Sequence, residues 1–129
     1  MSDAGYLLDA SAVLALVFKE AGSERVAEHL INAQMSSANL SEVVAKLYDR
    51  KFDQGRVEVI LSNFSIETIA FDRELAEQAG HLRALTRHLG LSLGDRACLA
   101  TAQMLGCTVL TADRAWAELD LGIVIEVIR

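Results

Sequence analysis

Short apolar runs alternate along this chain with longer segments in which apolar residues recur at helical spacing. The runs that predict strands span residues 6–8, 35–38, 66–71, 108–111 and 123–128. The segments that predict helices span residues 11–18, 23–33, 39 to the region before Gly55, 57–64, 72 to near 88–90, 94–105 and 113–119. Strands that are separated by helices favour a parallel sheet with right-handed crossovers and helices on both faces. The pattern therefore predicts an α/β fold. In the helix that begins at Asn39, the side chains predicted to face the core are Leu40, Val43, Val44, Leu47 and Tyr48.

The composition is that of one globular domain, which we expect to cover residues 1–129. A chain of 129 residues can close an apolar core without metals or disulfides. Apolar residues form 52% of the sequence and charged residues 23%, and this balance excludes a disordered chain. Proline is absent, and no Gly/Ser-rich linker or internal repeat divides the sequence.

The sequence indicates neither a membrane-spanning helix nor a secretion signal. The longest strongly apolar run, residues 12–18, has seven residues, whereas a spanning helix needs about 20. Residues 1–5 lack the positive flank and the cleavage site of a signal peptide. We therefore expect a cytoplasmic protein that makes no contact with a membrane.

Several residue types that often mark functional sites are expected to be structural here. Cys98 and Cys107 lack the spacing of a zinc site or a disulfide framework, and Cys98 falls among small apolar residues of a predicted helix. The histidines, which lack metal-site spacing, are expected at the surface: His29, His81 and His88. Three aromatic residues are expected in the core rather than as stacking platforms: Phe52, Phe64 and Trp116.

The formal net charge of −6, from 18 acidic and 12 basic residues, counts against a nucleic-acid partner. Proteins that bind nucleic acid through its phosphates usually carry a basic face. The balance fits better with a site that needs a cation and with a basic protein partner. A local basic patch at Lys46, Arg50, Lys51 and Arg56 remains open. The alternative is a solvated helix face, since Glu42, Lys46 and Arg50 follow one another at four-residue spacing.

Four acidic residues follow apolar or small residues at places where predicted strands end or helices begin: Asp9, Glu42, Asp95 and Asp113. Each also has an ordinary structural interpretation. Asp9 and Asp113 suit helix N-caps, and Asp95 suits the positive end of a helix dipole. Glu42 lies three residues after Asn39, as in a capping box.

Topology distinguishes these acidic residues from other helix caps. Parallel sheets bind ligands outside the carboxyl ends of their strands, where the strand order reverses. If the first strand lies between the second and the fourth, all four acidic side chains can reach one crevice. Asp72 also ends a strand and starts a helix, but it would leave the third strand, two spacings of about 4.8 Å from the first.

Such a crowded arrangement requires that its charge be neutralised. Two like charges 4 Å apart repel by about 4 kcal/mol at an effective dielectric constant near 20. Either some carboxyl groups are protonated or a divalent cation lies among them. Carboxylate oxygens suit Mg²⁺ or Mn²⁺.

Four segments, in this order along the chain, resemble the PIN domain and more closely the VapC branch of toxin endoribonucleases. They are Leu8-Asp9-Ala10-Ser11, Asn39-Leu40-Ser41-Glu42-Val43, Leu93-Gly94-Asp95-Arg96-Ala97 and Leu110-Thr111-Ala112-Asp113-Arg114-Ala115-Trp116. The resemblance covers essentially the whole chain. It implies a three-layer α/β/α sandwich around a five-stranded parallel sheet of order 3-2-1-4-5.

The resemblance also implies the chemistry of the site. Asp9, Glu42, Asp95 and Asp113 would hold one or two Mg²⁺ or Mn²⁺ ions and cleave RNA. Ser11, Asn39 and Thr111 match accompanying polar positions that support the ligands or contact the substrate. Two arginines each follow a proposed ligand and would touch phosphate, balance charge or form a plain salt bridge: Arg96 and Arg114. The expected partners are RNA, a VapB-like antitoxin and a second copy of the chain.

Two other functions compete with this interpretation. A receiver-like signalling domain would need an acidic pair after the first strand and a lysine late in the chain. Here a lone aspartate follows the first strand, and no lysine follows Lys51. A non-catalytic module that uses the acidic pocket only to dock a basic peptide stays open, because binding and catalysis would use the same residues.

Overall fold

A computed structural model describes residues 5–129 and places five parallel strands in one sheet of order β3-β2-β1-β4-β5. The strands are β1 Tyr6–Leu8, β2 Ala33–Ser36, β3 Glu67–Ile69, β4 Thr108–Thr111 and β5 Ile125–Val127. Helices cover both faces of this sheet. The predicted α/β/α class and the strand order are both confirmed.

Six α-helices and three short 3₁₀ helices connect the strands. The α-helices are α1 Ala10–Phe18, α2 Ser23–Glu28, α3 Ser37–Asp49, α4 Gln54–Ser62, α5 Arg73–Thr86 and α6 Leu93–Leu105. The 3₁₀ helices span Leu30–Asn32, Arg87–Leu89 and Arg114–Glu118. Every strand-to-strand connection contains helical structure, as a parallel sheet requires.

Neighbouring residues of the central strands point to opposite faces of the sheet and build two cores. Leu8 and Leu110 pack with buried residues of α1 to α4 on one face. Leu7 and Val109 pack with buried residues of α5 and α6 on the other. Because both faces are covered, β1 and β4 read as continuous apolar runs rather than as alternating ones.

The boundaries of β2 and α3 differ from the sequence prediction. The Ser36 side chain accepts a hydrogen bond from the backbone N–H of Ala38 at 3.1 Å and caps α3. The helix therefore starts at Ser37 instead of Asn39, and the strand ends at Ser36 instead of residue 38. This shift leaves Asn39 in the first turn of α3, where its side chain is free for another use.

Other local predictions also need correction. The helix predicted over residues 23–33 ends at Glu28, because Ala33 already pairs with Tyr6 in the sheet. Gly55 lies inside the first turn of α4 rather than separating two helices, since Asp53 caps that helix. Tyr48, predicted to face the core, is 45% exposed. Strands β3 and β5 are three residues each, shorter than the predicted 66–71 and 123–128.

Most of the residues that were expected to be structural are structural. Both cysteines are buried and free. Trp116 is fully buried, and Phe52 and Phe64 pack against a core cluster. His29 is an exception to the predicted surface histidines, because it is half-buried and stacks on Tyr6 with ring centroids 3.8 Å apart. Of the helices within residues 5–129, none combines the length and the apolar character that crossing a bilayer requires.

The order of the sheet determines where the ends of its strands meet. Strand β1 lies between β2 and β4. The connection that leaves β1 leads to β2 on one side, and the connection that leaves β4 leads to β5 on the other side. This reversal opens a crevice beyond the carboxyl ends of β1 and β4. Asp9 directly follows β1, and its backbone N–H donates to the Leu110 carbonyl at 3.2 Å.

Two leucines of α5 test how the helix packs on the sheet. Leu82 is 1% exposed and Leu85 is 64% exposed. Leu82→Ala should lower the free energy of unfolding by about 2–5 kcal/mol, because it leaves a cavity in the core. Leu85→Ala should change it by no more than about 0.5 kcal/mol. Urea unfolding followed by the fluorescence of Trp116, the sole tryptophan, measures both; equal losses would contradict this packing.

Candidate functional site

A pocket of about 210 Å³ lies at the carboxyl ends of β1 and β4. Its lining includes the four acidic side chains singled out from the sequence: Asp9, Glu42, Asp95 and Asp113. Ser11 and Lys46 supply further polar lining, and Ala10 and Leu14 supply apolar lining. Asp72 is absent from the lining, although it caps α5 with the same geometry. The fold therefore separates Asp72 from the other four as the topology argument expected.

Asp9 lies deepest in the pocket and is 5% exposed. One carboxylate oxygen, Oδ1, accepts hydrogen bonds from the Ser11 hydroxyl at 2.7 Å and from the Ala12 backbone N–H at 2.9 Å. The other, Oδ2, accepts from the Thr111 hydroxyl at 2.6 Å. Asp9 is therefore both the N-cap of α1 and a wall of the pocket.

Ser11 and Thr111 fix Asp9 relative to the end of β4. The Ser11 hydroxyl oxygen accepts from the Ala112 backbone N–H at 2.8 Å. The Thr111 hydroxyl oxygen accepts from the Asp113 backbone N–H at 3.1 Å. Both hydroxyl groups thus donate to Asp9 and accept from the chain that carries Asp113. Through these four hydrogen bonds, Ser11 and Thr111 fix the Asp9 carboxylate relative to the segment that carries Asp113.

Burial raises the pKa of the Asp9 carboxyl from its ordinary value of 3.8 to about 6. The hydrogen bonds from Ser11, Thr111 and Ala12 act in the opposite direction and favour the charged form. The negative charge of Asp95 raises the pKa further. Asp9 is thus a carboxylate whose negative charge is costly at neutral pH unless positive charge comes near it.

Asn39 and Gly94 hold Glu42 in place. The Asn39 side-chain amide donates to Glu42 Oε1 at 2.9 Å and to the Gly94 carbonyl at 3.1 Å. Asn39 is 1% exposed, and its Oδ1 has no hydrogen-bond partner within residues 5–129. The capping-box alternative for Asn39 and Glu42 is wrong, because Ser36 caps α3 and the bond joins two side chains.

The Glu42 carboxylate also lies directly against the backbone of Gly94. A β-carbon at residue 94 would overlap the carboxylate group of Glu42. Gly94 is buried and occupies the first turn of α6. A side chain at residue 94 would therefore require the Glu42 carboxylate to leave its present position.

Asp95 and Asp113 each bond to the start of a helix. Asp95 forms a capping box with Ser92, in which Asp95 Oδ2 accepts from the Ser92 backbone N–H at 3.0 Å. Asp113 Oδ1 accepts from the Ala115 backbone N–H at 3.0 Å and caps the 3₁₀ helix Arg114–Glu118. With α1, three helix starts bring backbone N–H donors to these carboxylates.

A buried thiol, Cys98, lies behind the pocket. Burial raises the pKa of Cys98 well above its ordinary value, and the charges of Asp9, Asp95 and Glu42 each raise it further. Cys98 lies one turn after Asp95 on α6 and belongs to the core. The Cys98 thiol is therefore uncharged and packs in the core behind the acidic pocket.

The four carboxylates share the pocket without forming a closed set of ligands. Within residues 5–129, no three His, Cys, Asp or Glu side chains are arranged so that they could hold a metal ion as they stand. Three of the carboxylates direct an oxygen to a helix start, which separates like charges. The donor set still fits a hard cation, because carboxylate oxygens from four places in the chain face one small pocket.

Arg96 and Arg114 lie outside the pocket lining. Arg96 Nη1 donates to the Ala79 carbonyl at 3.0 Å, and Arg114 Nε donates to the Arg129 carbonyl at 3.0 Å. Among the ion pairs of residues 5–129, none includes either arginine. Both side chains thus bond to backbone carbonyls instead of forming the salt bridges that were one expectation.

Sequence reasoning missed Gly94 as the residue that packs against Glu42 and Lys46 as a residue of the pocket lining. A glycine in the first turn of a helix costs about 1 kcal/mol relative to alanine, and such a cost is a signal of close backbone approach. Lys46 follows Glu42 by one helical turn, so a pocket that contains Glu42 can also contain Lys46. The same spacing is common on solvated helices, and it does not identify a site by itself.

Comparison with known proteins gives one family and one fold. A family model of the PIN domain matches residues 6–121. No curated protein matches the sequence. A DNA-bound VapBC from Salmonella typhimurium has a TM-score of 0.74 at 22% sequence identity, covering 97% of this chain and 98% of that chain.

Two further solved structures resemble the chain over most of its length. A toxin–antitoxin complex from Klebsiella pneumoniae has a TM-score of 0.68 at 22% identity, covering 93% of this chain and 96% of that chain. VapBC2 from Rickettsia felis, bound to a promoter DNA fragment, has a TM-score of 0.69 at 19% identity, with coverage of 94% and 96%. At these identities the likeness shows a shared fold.

The raised pKa of Asp9 predicts how protein treated with a chelator responds to pH. The stability that Asp9 contributes is fully present below about pH 3.8 and is lost as the pH rises through about 6. The loss corresponds to about 3 kcal/mol. Asp9→Asn avoids it, so the variant should unfold at a higher temperature than the parent at about pH 7.5 and show no such gain at about pH 4.

Asp72→Asn is the matched control for this experiment. Asp72 caps α5 through the Leu75 backbone N–H at 3.0 Å, but it is exposed and outside the pocket. Asparagine caps helices about as well as aspartate, so this variant should gain nothing at either pH. Thermal unfolding of Asp9→Asn that shows the same change at both pH values would contradict the assignment.

Proposed function

Since the chain belongs to the PIN domain family, we propose that it is a Mg²⁺- or Mn²⁺-dependent endoribonuclease. PIN domains are generally nucleases and usually use divalent metal ions. The observation that carries the proposal is the pocket at the carboxyl ends of β1 and β4, where carboxylates from four parts of the chain meet. Ordinary helix capping explains Asp9, Asp95 and Asp113 singly, but it explains neither Glu42 nor why four carboxylates share one pocket.

The proposed roles of the residues follow from their contacts. Asp9, Asp95 and Asp113 would hold the ion, and Glu42 would orient the attacking water or help to hold a second ion. A bound divalent cation lowers the pKa of water, polarises the scissile phosphate and stabilises the leaving oxygen. Ser11 and Thr111 keep Asp9 ionised and oriented through their hydroxyl groups. Asn39 keeps the Glu42 carboxylate directed into the pocket.

The chemistry expected from this site does not involve the 2′-hydroxyl of RNA. Water is the proposed nucleophile, and the leaving group is the 3′-oxygen of the preceding nucleotide. The products should therefore carry a 5′-phosphate and a 3′-hydroxyl.

The biological role that we propose is that of the toxin in a type II toxin–antitoxin pair. The structures from Salmonella typhimurium and Rickettsia felis are VapBC complexes, and the one from Klebsiella pneumoniae is a toxin–antitoxin complex. The acidic pocket is complementary to a basic side chain of such a partner, so a VapB-like antitoxin would cover it. We also propose that the toxin acts as a homodimer.

One specific observation favours a second candidate, a non-catalytic module that docks a basic peptide. Asp9, Asp95 and Asp113 all make cap hydrogen bonds, so the pocket has a structural use without any metal. Such a module would bind a basic partner but would not cleave RNA. Cleavage assays separate the two functions.

Asp95→Asn tests the nuclease proposal. The substitution keeps an acceptor for the Ser92 backbone N–H but removes a charge from the ligand set, so the rate of RNA cleavage with Mg²⁺ or Mn²⁺ should fall about 100-fold or more. The fold and the melting temperature should change little. Gel electrophoresis of a labelled RNA, with a chelator control, measures the rate and the product ends.

Asp72→Asn again provides the matched control, because it removes the same charge from a helix cap outside the pocket. Its cleavage rate should equal that of the parent. Cleavage that persists in chelator, or that survives Asp95→Asn undiminished, would overturn the enzymatic proposal and leave the docking module.

Gly94→Ala tests whether the position of Glu42 matters. The new β-carbon would overlap the Glu42 carboxylate and displace it, so cleavage should slow about 10- to 100-fold. The control is Gly80→Ala in α5, where a β-carbon meets no atom within 4 Å. That variant should retain full activity and gain some helix stability. Full activity of Gly94→Ala would show that Glu42 has no positional role.

A further inference from the structure

A second cavity, of about 440 Å³, opens beside the acidic pocket. The two cavities share Ser11, Leu14 and Lys46 as lining, so they adjoin, and we call the two together the cleft. Beyond Lys46 the character of the lining changes, because Arg50 and Arg129 enter it. The cleft is therefore acidic at the strand ends and carries its basic residues toward the C-terminal end of α3.

Three cations in this second cavity outnumber its two carboxylates. Glu20 contacts Arg50 at 3.4 Å and Arg129 at 3.3 Å, so a single carboxylate holds two guanidinium groups together. Lys46 forms no ion pair with any residue of the range 5–129. Asp49 is the other acidic residue of the lining. We call Lys46, Arg50 and Arg129 the basic shelf.

Two guanidinium groups stack on aromatic rings: that of Arg50, within the basic shelf, and that of Arg56, next to it. The Arg50 guanidinium lies over the Phe18 ring, 4.2 Å from its centroid. Phe18 meets Phe52 edge to face at 5.9 Å, and Arg56 lies over Phe52 at 4.1 Å. Stacked guanidinium groups lose little freedom when they bind an anion, because their orientation is already set. The cationic surface thus continues away from the acidic pocket in a fixed arrangement.

We propose that the basic shelf binds backbone phosphates of a single-stranded RNA segment next to the scissile bond. This inference rests on the proposed ribonuclease function. The acidic pocket repels the flanking phosphates of a polyanion, so productive binding needs cations at the mouth of the pocket. Arg50, the C-cap residue of α3, follows Lys46 by one turn, about 6 Å along the helix axis. An extended strand can therefore contact both residues with consecutive phosphates.

The experiment measures RNA binding in the Asp95→Asn protein, in which cleavage should be about 100-fold slower or more. The probe is a fluorescein-labelled, unstructured RNA of about 20 nucleotides, and fluorescence anisotropy gives Kd at about 50 to 200 mM KCl with Mg²⁺. Lys46→Gln with Arg50→Gln should raise Kd at least tenfold. The slope of log affinity against log salt should fall by about 1.4, or 0.7 for each phosphate contact with a single strand.

Two control pairs make the result specific. Arg73→Gln with Arg83→Gln removes the same charge from exposed positions of α5, outside the cleft, and should change neither Kd nor slope. Lys46→Arg with Arg50→Lys preserves the charge and should preserve the salt slope. All four positions are exposed, and equal melting temperatures would show that folding is unaffected.

The outcomes separate this inference from the proposed function. If the parent cleaves RNA but the Gln pair on α3 behaves like the pair on α5, the shelf is refuted and the nuclease stands. If the parent protein does not cleave RNA but binds it through Lys46 and Arg50, the proposed phosphate-binding role of the basic shelf stands and the proposed nuclease function fails. If RNA does not bind, the proposed role of the basic shelf is refuted. If a polyglutamate peptide binds through these residues and RNA does not, the shelf instead serves an acidic protein partner.

Discussion

The cost of burying a charged carboxylate at the ends of β1 and β4 is the constraint to which the rest of this site responds. Burial raises the pKa of Asp9 to about 6, and the charge of Asp95 adds a smaller contribution in the same direction. The fold opposes that cost with hydroxyl donors from Ser11 and Thr111 and with backbone N–H groups at three helix starts. These donors are enough to hold the acidic side chains in one pocket, and they leave the charge only partly balanced. A cation is the group that such a pocket can still accept.

Capping and metal binding are therefore not alternatives in this fold. A helix start supplies both the donors that fix a carboxylate and the positive end of the dipole that tolerates its charge. A carboxylate that caps α1 or α6 at the strand ends is already oriented toward the crevice. Asp72 has the same local geometry at α5 and remains an ordinary cap, because β3 lies at the edge of the sheet. Position in the sheet, rather than local contacts, distinguishes a site residue from a cap.

Local patterns in the sequence are enough to predict the α/β class and to single out acidic residues at strand ends and helix starts. The strand order is also needed to separate the pocket residues from Asp72, which shows the same local pattern. The partners of those acidic residues are not visible in this way. Asp9 depends on Thr111, and Glu42 depends on Gly94, and each pair is joined only by the folded sheet. The start of α3 also differs from the sequence prediction. Serine and asparagine cap helices about equally well, so the sequence does not show that Ser36 rather than Asn39 is the N-cap.

The net charge of the whole chain does not describe the local charge around one cleft. The net charge of −6 argued against nucleic acid, yet electrostatic interactions are screened over about 8 Å at physiological ionic strength. A phosphate in the cleft responds to Lys46 and Arg50, and hardly to glutamates on distant helices. Helix α3 presents Glu42 to the strand ends, and Lys46 and the C-cap residue Arg50 line the adjoining cavity. The four-residue spacing of Glu42, Lys46 and Arg50, which also occurs on solvated helix faces, here accompanies a change of sign along the cleft. The proposed binding of an RNA strand would require such a change of sign, because one phosphate would lie among carboxylates.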